Sequence, residues 1–182
     1  MKNQLLHTPE GVRDIYNEEC EKKLELQDRL HKALKRHGYH SIQTPTFEFF
    51  DIFGKEVGTI PSNELYKFFD REGNTLVLRP DITPSIARSA AKYFMDEDMP
   101  IRLSYMGNTF INNHSYQGSL KESTQLGAEL IGDDTVDGDA EMIAMAIDAL
   151  KSSGLKDFQI SVGHVEFFRG LMEAAGLSEE QE

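Results

Sequence analysis

The stretch Gly107–Gly132, GNTFINNHSYQGSLKESTQLGAELIG, decides the fold. Two alternating runs flank a polar loop, the pattern of a long β-hairpin. The arms are expected at Ile101–Ile111 and Lys121–Ile131. Side chains alternate across a strand, so Leu126, Ala128 and Leu130 point one way and Gln125, Gly127 and Glu129 the other. The apolar side is expected to pack under helices. Alternation alone makes the polar side a solvated sheet face. Gly127 argues against that reading, because a strand-interior glycine forfeits packing and marks a spot where a ligand or backbone comes close.

Upstream of the hairpin, residues 17–37 read as a helix with Cys20, Leu24, Gln27, Leu30 and Leu34 on one buried stripe. Gly38 stops it. YHSIQTP (39–45) reads as a short strand closed by Pro45, and FEFFDIF (47–53) extends it as a further strand. LYKFFD and TLVLRP flank the turn REGN as a second hairpin. In DITPSIARSAAKYF, Thr83 is expected as the N-cap and Pro84 as the first helical residue. Downstream, a helix from about Gly138 to Ser153 is followed by a strand, DFQISVG (157–163), and a helix from about Val165 to Ala175. Long hairpin-joined strands with helices between them predict an α+β fold, an antiparallel sheet flanked by helices.

Ser178 and Gln181 have capping-box spacing, so a new helix is expected to start as the sequence stops at Glu182. The reading is one domain over residues 1–182, cut short, with a downstream domain missing.

The chain has 182 residues, 39% hydrophobic and 27% charged, which is globular rather than disordered composition. The net charge of −12 offers no footprint for a phosphate backbone, so no nucleic acid is expected as partner. No apolar run reaches membrane-spanning length, and no membrane partner is expected. One cysteine, Cys20, allows no internal disulfide; read as a small buried apolar residue, it fits a cytoplasmic protein.

Asp81, at a strand-to-helix junction, together with Thr83, Gln125 and Glu129 would make a pocket that accepts hydrogen bonds. An ammonium group has three donors and no acceptor, so it demands such a site. Two carboxylates with no cationic partner evident in the sequence would repel an anion. The acidic run GDDTVDGDAE (132–141) lacks the ligand alternation of a calcium loop and is read as dipole-complementing acids before a helix. No phosphate loop or nucleophile elbow is present, and no metal or cofactor is expected.

TPEGVRDIYNEE, GYHSIQTPTFE, LRPDITPSIAR and QLGAELIG together resemble the histidyl-tRNA synthetase class II catalytic core, in order and over nearly the whole chain. GYHSIQTP resembles that class's first motif, which implies a homodimer through its strand. The hairpin resembles the second motif, where the synthetases carry Phe-Arg, the arginine holding the ATP α-phosphate. Here the dipeptide is Phe110-Ile111, and the loop NNHSYQGSLKE keeps little of the synthetase pattern. The Gln-Gly-Glu spacing of the histidine-binding motif survives, with Asp81 in place of the usual glutamate after Leu-Arg-Pro. This combination resembles the regulatory subunits of ATP phosphoribosyltransferase, paralogues without aminoacylation activity. The resemblance implies a non-catalytic role in the first step of histidine biosynthesis, a short-form catalytic subunit as partner, and histidine as effector bound by Asp81, Thr83, Gln125 and Glu129. The alternative is a divergent histidyl-tRNA synthetase domain that activates histidine with ATP.

Overall fold

The computed structural model describes residues 4–54, 60–113 and 119–176. The capping-box residues Ser178 and Gln181, and the centre of the hairpin loop at 114–118, lie outside the described residues.

The hairpin forms as its alternation requires. Strand β5, Ile101–Phe110, pairs antiparallel with β6, Glu122–Ile131, through ten unbroken register pairs from Ile101↔Ile131 to Phe110↔Glu122. A short β1, His40–Ser41, adds to the other side of β5 in parallel, which gives the order β1-β5-β6. A second sheet, wholly antiparallel, has the order β2-β4-β3, from Phe47–Phe49, Thr75–Leu78 and Lys67–Phe69. The expected FEFFDIF strand therefore ends at Phe49, and Phe50–Phe53 turn as a 3-10 helix.

Helices cover both faces of the first sheet. Helix α2, Thr83–Tyr93, places Ile82 and Ile86 on Ile101, Leu103 and Tyr105. On the opposite face α1, Asn17–Arg36, and α3, Val136–Ser153, close over Leu126 and Ala128 with Leu34, Tyr39 and Met145. The apolar side of β6 thus packs under helices, as its alternation predicts. A third cluster, Phe53, Leu65 and Val77, fills the second sheet's inner side.

The α3 boundary is set by chemistry legible in the acidic run. Thr135 caps the helix by accepting from the Gly138 amide at 3.2 Å, and Asp133 in turn accepts from the Thr135 hydroxyl at 2.7 Å. Gly154 ends the helix at φ +100°.

Two further expectations fail. The stripe of α1 is buried only at its C-terminal end: Leu34 is buried, Leu30 and Cys20 are half-buried, and Leu24 is exposed. The first half of that helix lines an open groove with Cys20, Leu24 and Gln27. DFQISVG is not a strand; alternation makes a strand only where a ladder partner is present, and among the described residues it has none. Helix α4, Val165–Ala174, forms as expected, but Val165, Phe167, Phe168 and Leu171 stay exposed. Among the described residues no helix is long and apolar enough to cross a membrane.

Candidate functional site

The four residues singled out by sequence meet on the α2 face of the first sheet. Asp81 sits in the bend between β4 and α2. Its Oδ1 accepts from the backbone amides of Ile82 at 2.7 Å and Thr83 at 3.4 Å. It also accepts from Gln125 Nε2 at 2.9 Å. Gln125 is held at its other end too, since its Oε1 accepts from the Ile82 amide at 3.2 Å. The amide is thereby locked in one orientation.

Asp81, not Thr83, supplies the side-chain oxygen at the start of α2, accepting from the amides of Ile82 and Thr83. Thr83 is the first helical residue, so the helix begins one residue earlier than expected, and Pro84 follows it. Relieved of capping, the Thr83 hydroxyl crosses to β6 and donates to Glu129 Oε1 at 2.8 Å. A single residue thus ties the two carboxylates together, its amide bonded to Asp81 and its hydroxyl to Glu129.

Tyr105 completes the cluster and escaped the sequence reading. Its hydroxyl donates to Glu129 Oε1 at 3.1 Å and lies 3.2 Å from the Thr83 hydroxyl. Two hydroxyl hydrogens serve these three contacts, so both can point at Glu129. Burial, opposed by the Thr83 contact and reinforced by the Glu129 charge, pushes the Tyr105 phenol up to about 12. It is a neutral donor at physiological pH.

Tyr105 also accounts for Gly127. The two are register partners, and a Cβ on Gly127 would fall 2.4 Å from the Tyr105 hydroxyl and 2.5 Å from its ring. The close approach marked by this glycine is made by a tyrosine ring lying across the strand. The available signal was an aromatic opposite a strand glycine, a pairing that fills the space a missing side chain leaves.

A second residue missed by sequence is Arg79, 7% exposed. Its Nε donates to the Asn108 carbonyl at 2.8 Å, and its Nη1 to the carbonyls of Thr44 at 2.9 Å and Pro45 at 3.2 Å. The guanidinium lies on Gly107, where a Cβ would come within 2.2 Å of Nη2. A cation therefore does stand on this face of the sheet, which corrects the expectation drawn from sequence. At the end of β5, Ile111 continues the pairing through its amide to the Lys121 carbonyl at 3.0 Å. It brings no charge to the place where the resembling motif has arginine.

Among the described residues the second oxygens of both carboxylates, Asp81 Oδ2 and Glu129 Oε2, make no protein hydrogen bond. The site can therefore accept from a cationic donor group. Two fixed carboxylates and an oriented amide suit an ammonium.

Comparison with known proteins shows what the chain is similar to. The family model described as histidyl-tRNA synthetase matches residues 11–182. An ATP phosphoribosyltransferase regulatory subunit of Acetivibrio thermocellus is 51% identical over 97% of the chain and 42% of the relative. One of Ruminiclostridium cellulolyticum is 48% identical over 99% of the chain and 43% of the relative. The chain spans under half the length of these curated relatives. A solved structure described as an ATP phosphoribosyltransferase regulatory subunit/histidyl-tRNA synthetase, from Bacillus halodurans, superposes with TM-score 0.87 at 39% identity, over 97% of this chain and 46% of that one. A family model that matches residues 11–182, nearly the whole chain, makes this chain a member of the histidyl-tRNA synthetase family.

Proposed function

We propose that the chain is the synthetase-like part of a non-catalytic regulatory subunit of ATP phosphoribosyltransferase, in which the Asp81–Thr83–Gln125–Glu129 site binds histidine as effector. The observation that carries this reading is the joined state of the four side chains, with an open acceptor left on each carboxylate among the described residues, in a chain that has isoleucine at position 111. Asp81 and Glu129 accept from the ligand ammonium, Gln125 orients it, and Thr83 fixes Glu129. Ile111 can neither neutralise a phosphate nor donate to one, and losing a preorganised donor of that kind costs about 10²–10³ in rate. The relatives' names support the same assignment.

The partner in this reading is a short-form catalytic subunit in the cytoplasm, at the first step of histidine biosynthesis, with a homodimer formed through the first-motif strand around β1. No nucleic acid takes part. Histidine controls the complex by preferring one of its states, since a ligand shifts an equilibrium only by its differential affinity.

The test combines the full-length natural chain with a short-form catalytic subunit and follows phosphoribosyl transfer with and without histidine. The expected result is activity that depends on the chain and falls when histidine is added. Histidine-dependent pyrophosphate exchange by the chain alone would overturn the reading in favour of a histidine-activating synthetase, the activity that the family model's description names.

A further inference from the structure

We infer that Arg79 reads the carboxylate of the ligand in this site, so that histidine is gripped at both charged ends rather than at its ammonium alone. The inference rests on the amine-binding reading above and deepens it.

Among the described residues Arg79 is a buried cation without an anion. Every acceptor in contact with it is neutral: the carbonyls of Asn108, Thr44 and Pro45, and the Thr44 hydroxyl at 3.4 Å. Buried charges are ordinarily paired. Glu48, the carboxylate whose charge acts on Arg79, is bonded to Arg88 through Nε at 3.2 Å and Nη2 at 2.6 Å. Burial, with only that remote charge opposing it, lowers the Arg79 pKa.

The donor count leaves one nitrogen over. A guanidinium has five N–H groups. Nε uses its one on Asn108, and Nη1 uses its two on Thr44 and Pro45. Among the described residues Nη2 donates to nothing, and it is the nitrogen that lies on Gly107. Only a glycine leaves room for it there.

Gly107 is the register partner of Gln125. Facing positions on paired strands bring their Cβ atoms to about 4.5–5.5 Å. The Nη2 group thus lies on the same sheet face as Gln125, at the position that faces it across the hairpin. Ile82 frames both, with its amide bonded to Asp81 and Gln125 and its Cδ1 3.4 Å from the Gly107 Cβ position. Acceptors for an ammonium and a donor pair for a carboxylate therefore share one sheet face, which is the arrangement a zwitterionic head group needs.

The test compares histidine with histidinol, which keeps the ammonium and imidazole but has an alcohol in place of the carboxylate. Calorimetric titration of the full-length natural chain is expected to show histidine binding at least about tenfold tighter. Arg79→Gln should bring histidine to the histidinol level. Should that variant fail to fold, Gly107→Ala gives the same readout, because its methyl pushes the guanidinium aside while the carboxylates stay. Equal affinity for the two ligands in the unaltered chain overturns the role of Arg79 and leaves the amine site standing. Retained preference for histidine in a folded variant also overturns it, by assigning the carboxylate to another group. Binding of neither ligand removes both this inference and the reading it rests on.

Discussion

Thr83 Oγ1 lies 2.8 Å from Glu129 Oε1, so the first residue of α2 is bonded to a residue near the end of β6. This contact joins two segments 46 residues apart and exists because Asp81 has taken over the cap. The helix start and the strand face are one unit, and the site can be tested by loosening either side of it.

Glu129→Gln keeps the shape of the side chain and removes its charge. Histidine affinity is expected to fall by about tenfold or more, because charge-assisted bonds contribute roughly twice what neutral ones do. Loss of the histidine-induced rise in melting temperature is the simplest readout. A variant that keeps the full rise would take Glu129 out of the site.

Gly127→Ala tests the tyrosine. The added methyl would sit 2.4 Å from the Tyr105 hydroxyl and 2.5 Å from its ring, both packed in the core. Overpacking of this kind costs about 1–3 kcal/mol, read as a lower urea midpoint. The ring must tilt away from Glu129, so histidine binding should weaken as well.

Glu141 predicts an acid-sensitive window. Its carboxylate accepts from Arg102 Nε at 2.7 Å and Nη2 at 2.6 Å, and from the Tyr39 hydroxyl at 3.0 Å. Chiefly the Arg102 bonds hold its pKa down to about 2, from an ordinary 4.5. A value lowered on folding adds stability that is complete above pH 4.5 and disappears as pH falls through that point towards 2. Glu141→Gln should flatten this part of the stability–pH curve, measured by denaturation at stepped pH. An unchanged slope would show that other carboxyls set it.

Arg88→Ala leaves Glu48, 8% exposed, without the guanidinium that now sits 2.6 Å away. An unpaired buried carboxylate costs about 3–5 kcal/mol. The double change Arg88→Met with Glu48→Met should recover most of that loss, since it removes the orphaned charge. Equal stability of the single and double variants would contradict the pairing.

The hairpin was legible to within a residue at each arm, because ten consecutive pairs depend only on period-two alternation. Gln125, Gly127 and Glu129 were legible for the same reason. Thr83 was misread because its neighbour competes for the same amides, and which of two nearby oxygens caps a helix depends on backbone angles that sequence does not display. Tyr105 and Arg79 were hidden in a different way. Each acts across a strand or between sheets, on a glycine whose emptiness says that something fits there but not what. DFQISVG failed because strand character belongs to a pair, and one member alone cannot establish it.

Arg79 fastens more than a ligand site. Its amide donates to Thr46, its carbonyl accepts from Phe110, and its side chain grips Thr44, Pro45 and Asn108. Residues before β2 and residues at the end of β5 are thereby riveted to one another at a single position. Shear between the two sheets has to break all of these links together, so the platform under the acceptors shifts as a rigid plate or not at all.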